Sequence, residues 1–209
     1  GIALAANLFT LFLFYEMLTL ATYPLVAHKG DQATVRSARV YLGVLIVASI
    51  GLLLPAVIWT YVLAGTGDFT PGGILAGKID GPLVGLLLAL FVFGVVKAGV
   101  FVITKIIVYV FGIDFLFATP SSGWLTYAAA FTIIAASVVA LRQQNLKRLL
   151  AYSTIGQLSY IVLASATLKP LAEVGATVHM VAHAFGKITL FFAAGAIYTA
   201  SKKTELSQL

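Results

Sequence analysis

The stretch IALAANLFTLFLFYEMLTLATYPLVA, residues 2–27, carries no charge except one carboxylate, Glu16, near its middle. As a helix it is long enough to cross the ~30 Å hydrocarbon core of a bilayer. A carboxylate held at that depth is expensive unless something nearby compensates it. Glu16 does not stand alone. Lys97, Lys105, His179, His183 and Lys187 also fall inside apolar stretches of spanning length. Ionisable groups of both signs at membrane depth mark an ion or proton path, each charge partnered by another or by water.

The composition agrees. Of 209 residues, 61% are hydrophobic and 10% charged, and the mean hydropathy is +1.04. Soluble domains carry about 25% charged residues, so a soluble globular reading is excluded. The runs lack the apolar/polar alternation of barrel strands. An all-α, polytopic transmembrane bundle remains. The apolar runs cover residues 2–27, 40–64, 82–112, 123–141, 149–167 and 174–200, within one transmembrane domain over residues 1–209. Pro55 falls inside the second run and is expected to kink it.

The formal charge is +6. Its lysines and arginines lie in short loops without a basic face or interleaved aromatics, which argues against nucleic acid or anionic lipid as the reason for the charge and for orientation by cytoplasmic positive charge. With no cysteine there is no disulfide, thiolate metal site or redox pair. The chain starts at Gly1, apolar almost at once, and ends in TELSQL, so it reads as an internal piece of a longer polypeptide.

The third run, residues 82–112, is long for one span and short for two. With one crossing there, and the loop after Glu16 cytoplasmic, the cytoplasmic loops hold Lys29, Arg36, Arg39 and Lys169, against six cations opposite. Removing one crossing within that run puts Lys29, Arg36, Arg39, Arg142, Lys147, Arg148, Lys202 and Lys203 on the cytoplasmic side, with only Lys78 and Lys169 opposite. Only the second distribution obeys the positive-inside rule. The loops behave as though a crossing has been lost near Gly94–Val95.

His179, His183 and Lys187 recur at i, i+4 and i+8. On a helix they form one gently drifting stripe with neighbours ~6 Å apart along the axis, close enough for single waters to bridge. Histidine exchanges protons near neutral pH. Gly175, Ala176, Ala182, Ala184 and Gly186 leave room for close helix approach or water. The competing reading makes these groups interhelical glue. A zinc site is a weaker competitor, because no HExxH glutamate lies between the histidines. Lys97 matches Glu16 in depth, and an ion pair at contact distance is worth ~4 kcal/mol at an effective dielectric near 20. Lys105, about two turns beyond Lys97, either continues the path or snorkels to the interface. Tyr152, Ser153, Thr154, Gln157, Ser159 and Tyr160 place further polar groups in the fifth run, as water ligands or helix contacts.

Four segments carry a family resemblance. FYEMLTLATYPLV at residues 14–26 resembles the fifth helix of the antiporter-like subunits of Mrp-type cation/proton antiporters and respiratory complex I. VKAGVF at 96–101 resembles the eighth. LKRLLAYSTIGQLSY at 146–160 is similar to the turn into the tenth, and HMVAHAFGKITLFF at 179–192 to the eleventh. The D-subunit branch of the Mrp type matches best. The resemblance implies a piece holding about helices five to eleven, in a multi-pass subunit of the bacterial inner membrane. Other antiporter subunits, the lipid bilayer, protons and Na+ would be its partners. It further implies that Glu16 pairs with a seventh-helix lysine, that Lys97 lies on a central hydrophilic axis, and that His179, His183 and Lys187 lead along it. No cofactor and no catalysis by this chain are implied. In the alternative, a proton-translocating subunit of an NADH:quinone oxidoreductase, chemistry on NADH would lie in other subunits. One departure is large. Between Gly94 and Val95 the family would carry the seventh-helix lysine, a loop and the start of the eighth helix, roughly thirty residues or one crossing of ~20 plus a loop.

Overall fold

The computed structural model describes residues 1–28, 31–95 and 99–208, and side chains there except those of Leu25 and Ala33. The chain packs as two compact units, Gly1–Ser122 and Gly123–Leu209. Among the described residues there are helices and two isolated bridges, Asn7 with Asp68 and Asn145 with Glu205, and no strand.

In the first unit, α1 (Leu8–Val26) starts later than its apolar run because Asn7 caps it, its side chain accepting from the Thr10 amide at 2.8 Å. The Leu8 amide donates to Gly67 O, and the Phe69 amide to Ala6 O, both at 2.9 Å, so an extended loop segment ties down the helix start. Helix α2 (Gln32–Ala48) begins eight residues before its run at residue 40, because Asp31 accepts from the Thr34 amide. It continues through a π turn, Ser49–Leu53, into α3 (Leu54–Ala64). The kink expected at Pro55 takes this form. A proline ring clashes with the carbonyl one turn back, and the widened turn, closed by Leu54 N–H to Ser49 O, makes room for it.

The long third run is cut in two. Helix α4 (Gly81–Gly94) ends where Val95 leaves the helical region, at φ −102° and ψ 78°. Helix α5 (Gly99–Ile106) runs on into a second π turn, Ile107–Phe111. That turn lets the Tyr109 and Val110 carbonyls accept from the Ile74 and Leu75 amides, at 3.1 and 2.8 Å. Gly112, at φ +88° and hard against the Gly72 carbonyl, turns the chain into the short α6 (Ile113–Phe117). The core between these pieces holds Leu11, Tyr15, Leu53, Leu87, Phe91, Ile107 and Phe111, all fully buried. Phe91 and Phe111 meet edge to face, centroids 6.2 Å apart.

The second unit is three consecutive helices: α7 (Trp124–Leu141), α8 (Leu146–Ala166) and α9 (Pro170–Ser201). Asn145 caps α8 through the Arg148 amide at 3.2 Å. Pro170 at the first turn and Glu173 within it start α9 four residues ahead of its apolar run, since both suit a helix N-terminus. Among the described residues, four helical segments are long and apolar enough to cross a bilayer: Thr34–Ala64, Pro120–Leu141, Leu146–Ala166 and Pro170–Ser201. Leu8–Pro24, Gly81–Gly94 and Gly99–Phe111 are apolar but shorter. Tyr127, Phe131, Phe185 and Phe192 are all more than 70% exposed, an outer surface suited to hydrocarbon.

Candidate functional site

The seam between α8 and α9 gathers Glu173, His179, His183 and Lys187 of the second unit. Its register is antiparallel and can be read from three contacts. Ser165 Oγ donates to Glu173 Oε2 at 3.1 Å. His179 Nε2 and Gln157 Oε1 lie 3.0 Å apart. Lys187 Nζ donates to the Leu150 carbonyl at 3.1 Å. Each step toward the end of α9 meets a residue nearer the start of α8. By that register His183 falls opposite Ser153 and Thr154. Its ring stacks on that of His179, centroids 5.9 Å apart and planes 21° apart.

The stripe predicted from i, i+4, i+8 spacing therefore exists as a stripe, and it faces a neighbouring helix. Two of its atoms are unusual. His183 Nε2 and Glu173 Oε1 are both shut off from solvent and find no hydrogen-bond partner among the described residues. A buried polar atom left unpaired costs roughly 1–3 kcal/mol, so each marks a place where a water or a proton belongs. Among the described residues no third ligand joins His179 and His183 in a group able to hold a metal ion.

Two members of the seam carry little signal in the sequence. Glu173 follows a Lys169-Pro170 turn and reads there as a capping charge, yet it is 8% exposed and aligned with the stripe. Gln157 is one of several polar groups on its helix. Thr154 and Ser159 bond back to their own helix, at Leu150 O and Ile155 O, whereas Gln157 reaches His179. Gln157 also lines a cleft of about 360 Å³ between α7 and α8, with Ser137, Ser153 and Tyr160. The cleft thus meets the stripe through a side chain that can both donate and accept.

In the first unit, Glu16 sits half-buried on α1 with Oε1 enclosed and unpaired among the described residues. Lys97, expected to match it, lies outside the described residues. Lys105 is 9% exposed, its Nζ donating to Ala5 O at 2.6 Å and Ala3 O at 3.3 Å, 4.6 Å above the Phe69 ring. The ammonium satisfies carbonyls at the chain's first turn, a partnership a hundred residues long. Lys105→Met is therefore expected to destabilise the protein by about 1–3 kcal/mol, through two carbonyls left bare. Thermal melting in detergent reads this, and an unchanged midpoint would remove the anchoring role.

The model of the family described as "NADH:quinone oxidoreductase/Mrp antiporter, TM" matches residues 5–94 and 78–209. The first piece stops where α4 does. The N subunit of the NADH-quinone oxidoreductase of Desulforudis audaxviator is 31% identical over 94% of the chain and 45% of its own length. The D subunit of the Na(+)/H(+) antiporter of Alkalihalophilus pseudofirmus is 25% identical over all of the chain and 48% of its own length. That second alignment runs over 239 positions against a chain of 209, so it contains some 30 positions of gap.

Among solved structures, a membrane-bound sulfane sulfur reductase, an archaeal respiratory membrane complex, superposes with a TM-score of 0.80. It is 24% identical, covering 99% of this chain and 48% of that one. The Mrp complex from Dietzia sp. superposes at 0.72 with 25% identity, covering 95% of this chain and 25% of that one. The chain spans less than half the length of the curated relatives it matches across its whole extent. Spanning helices, a two-piece match over nearly every residue and the shared fold have one meaning: this chain belongs to the NADH:quinone oxidoreductase/Mrp antiporter transmembrane family.

Proposed function

We propose that this membrane antiporter-like chain conducts protons along the α8/α9 seam, as part of a subunit that exchanges them for a monovalent cation, Na+ first. The observation that carries the reading is the alignment of Glu173, His179, His183 and Lys187 along one helix interface, with two enclosed atoms unpaired among the described residues. The line spans about fourteen residues, ~21 Å of helix, most of a hydrocarbon core. Protons pass between the histidines through single waters, with Gln157 held against His179 from the facing helix. Lys187, poised on a carbonyl, shifts the balance electrostatically when its neighbour loads. Glu16, Lys97 and Lys105 are the pathway residues of the first unit. The subunit works in the bacterial plasma membrane beside other subunits, as in the multi-subunit complexes whose members it resembles.

A second reading has its own support: the higher identity is to the N subunit of an NADH-quinone oxidoreductase. There the same seam would be driven by redox chemistry in partner subunits. Vesicles holding the intact parent complex separate the two. Acidification or alkalinisation on a Na+ jump, without NADH, supports the antiporter; proton movement only with NADH and quinone supports the second. Neither response sinks both.

A further inference from the structure

We infer that the end of the second unit where α7 meets α8 and α9 finishes is a binding site for an anionic phospholipid. The backbone builds this end. Leu146 N–H donates to Thr204 O at 3.0 Å and Leu206 N–H to Gln144 O at 2.8 Å, so residues 204–206 are fastened to the α7–α8 turn. The fastening collects Arg142, Lys147, Arg148, Lys202 and Lys203 in one place, all exposed. The one acid there, Glu205, is taken by Asn145 Nδ2 at 3.3 Å.

Charge alone would only orient the helices. The second observation is more specific. The ammoniums of Lys147 and Lys202 both lie over the ring of Tyr198, 5.0 and 5.3 Å from its centroid. Two like charges drawn onto one ring repel each other, and a phosphate between them would turn that repulsion into attraction. The third is apolar. The cleft between α7 and α8 begins at this same end, at Leu141 and Leu149, and runs into the span past Ala140 and Gly156. A headgroup on the cations and an acyl chain along the cleft match a phospholipid in both charge and shape. A soluble phosphate would use only the first half.

The test mixes the purified full polypeptide, in mild detergent, with phosphatidylglycerol or phosphatidylcholine, then measures lipid retained per chain after gel filtration. Phosphatidylglycerol should be retained and phosphatidylcholine not. The pair Lys147→Gln/Lys202→Gln should lower affinity roughly thirtyfold, as expected for losing two near-surface cations. Lys147→Arg/Lys202→Arg should keep it. Retention by the unaltered protein should fall as salt rises, a reading that needs no variant to fold. Equal retention of both lipids, retention by the Gln pair, or indifference to salt would each overturn the site. Complete displacement by inorganic phosphate would overturn its lipid half.

Discussion

His183→Ala, placed in the intact membrane complex that carries this sequence, is expected to lower ion-driven proton flux in vesicles by roughly 5- to 150-fold. That range corresponds to the ~1–3 kcal/mol at stake when one member of a buried polar chain is removed. The reason is positional. His183 stacks on His179, and its Nε2 is enclosed without a partner among the described residues, so no neighbouring side chain there can stand in for it. Stability should change little, because the ring is only half-buried and its enclosed Nε2 has no hydrogen-bond partner among the described residues to lose. Flux retained at the unaltered rate would mean that the stripe is interhelical glue.

Glu173→Gln is the second large expectation. The substitution keeps size and the Ser165 contact but cannot titrate. Flux should fall by a similar factor, while the melting temperature should hold or rise, since a buried carboxylate with one unpaired oxygen is relieved. A fall in both would make Glu173 a structural residue and leave the seam with three titrating members. The serine partner sharpens the distinction. Ser165→Ala removes the hydroxyl that donates to Oε2 yet leaves the acid able to titrate, so flux should drop less than in Glu173→Gln.

Much of this site is legible in the sequence, for physical reasons that also mark where legibility stops. Helical spacing survives translation into structure, so His179, His183 and Lys187 share one face, as the i, i+4, i+8 pattern requires. What they face is a tertiary fact. Nothing local in Gln157 distinguishes it from Ser159, and only the α8/α9 register brings it to His179. Glu173 is hidden because an acid in a first turn already has a sufficient local explanation. The partners of Lys105 are backbone carbonyls a hundred residues away, which carry no sequence signal.

The crossing expected to be missing is the opposite case. Charge in the loops encodes topology directly, and the anomaly it reveals falls where α4 stops and where the first piece of the family match ends. The Pro55 kink takes the form of a π turn just ahead of it, the same steric conflict resolved by widening.

The most direct measurement concerns water. Imidazole nitrogen signals of His179 and His183, followed by solid-state nuclear magnetic resonance in lipid bilayers, report whether ring protons exchange with deuterated bulk solvent. A wetted seam that passes protons requires exchange within seconds, at His183 as at His179, and slower exchange when Gln157 is replaced by Leu. Ring protons that persist for hours in the unaltered protein would show a dry, static interface and contradict the conduction path.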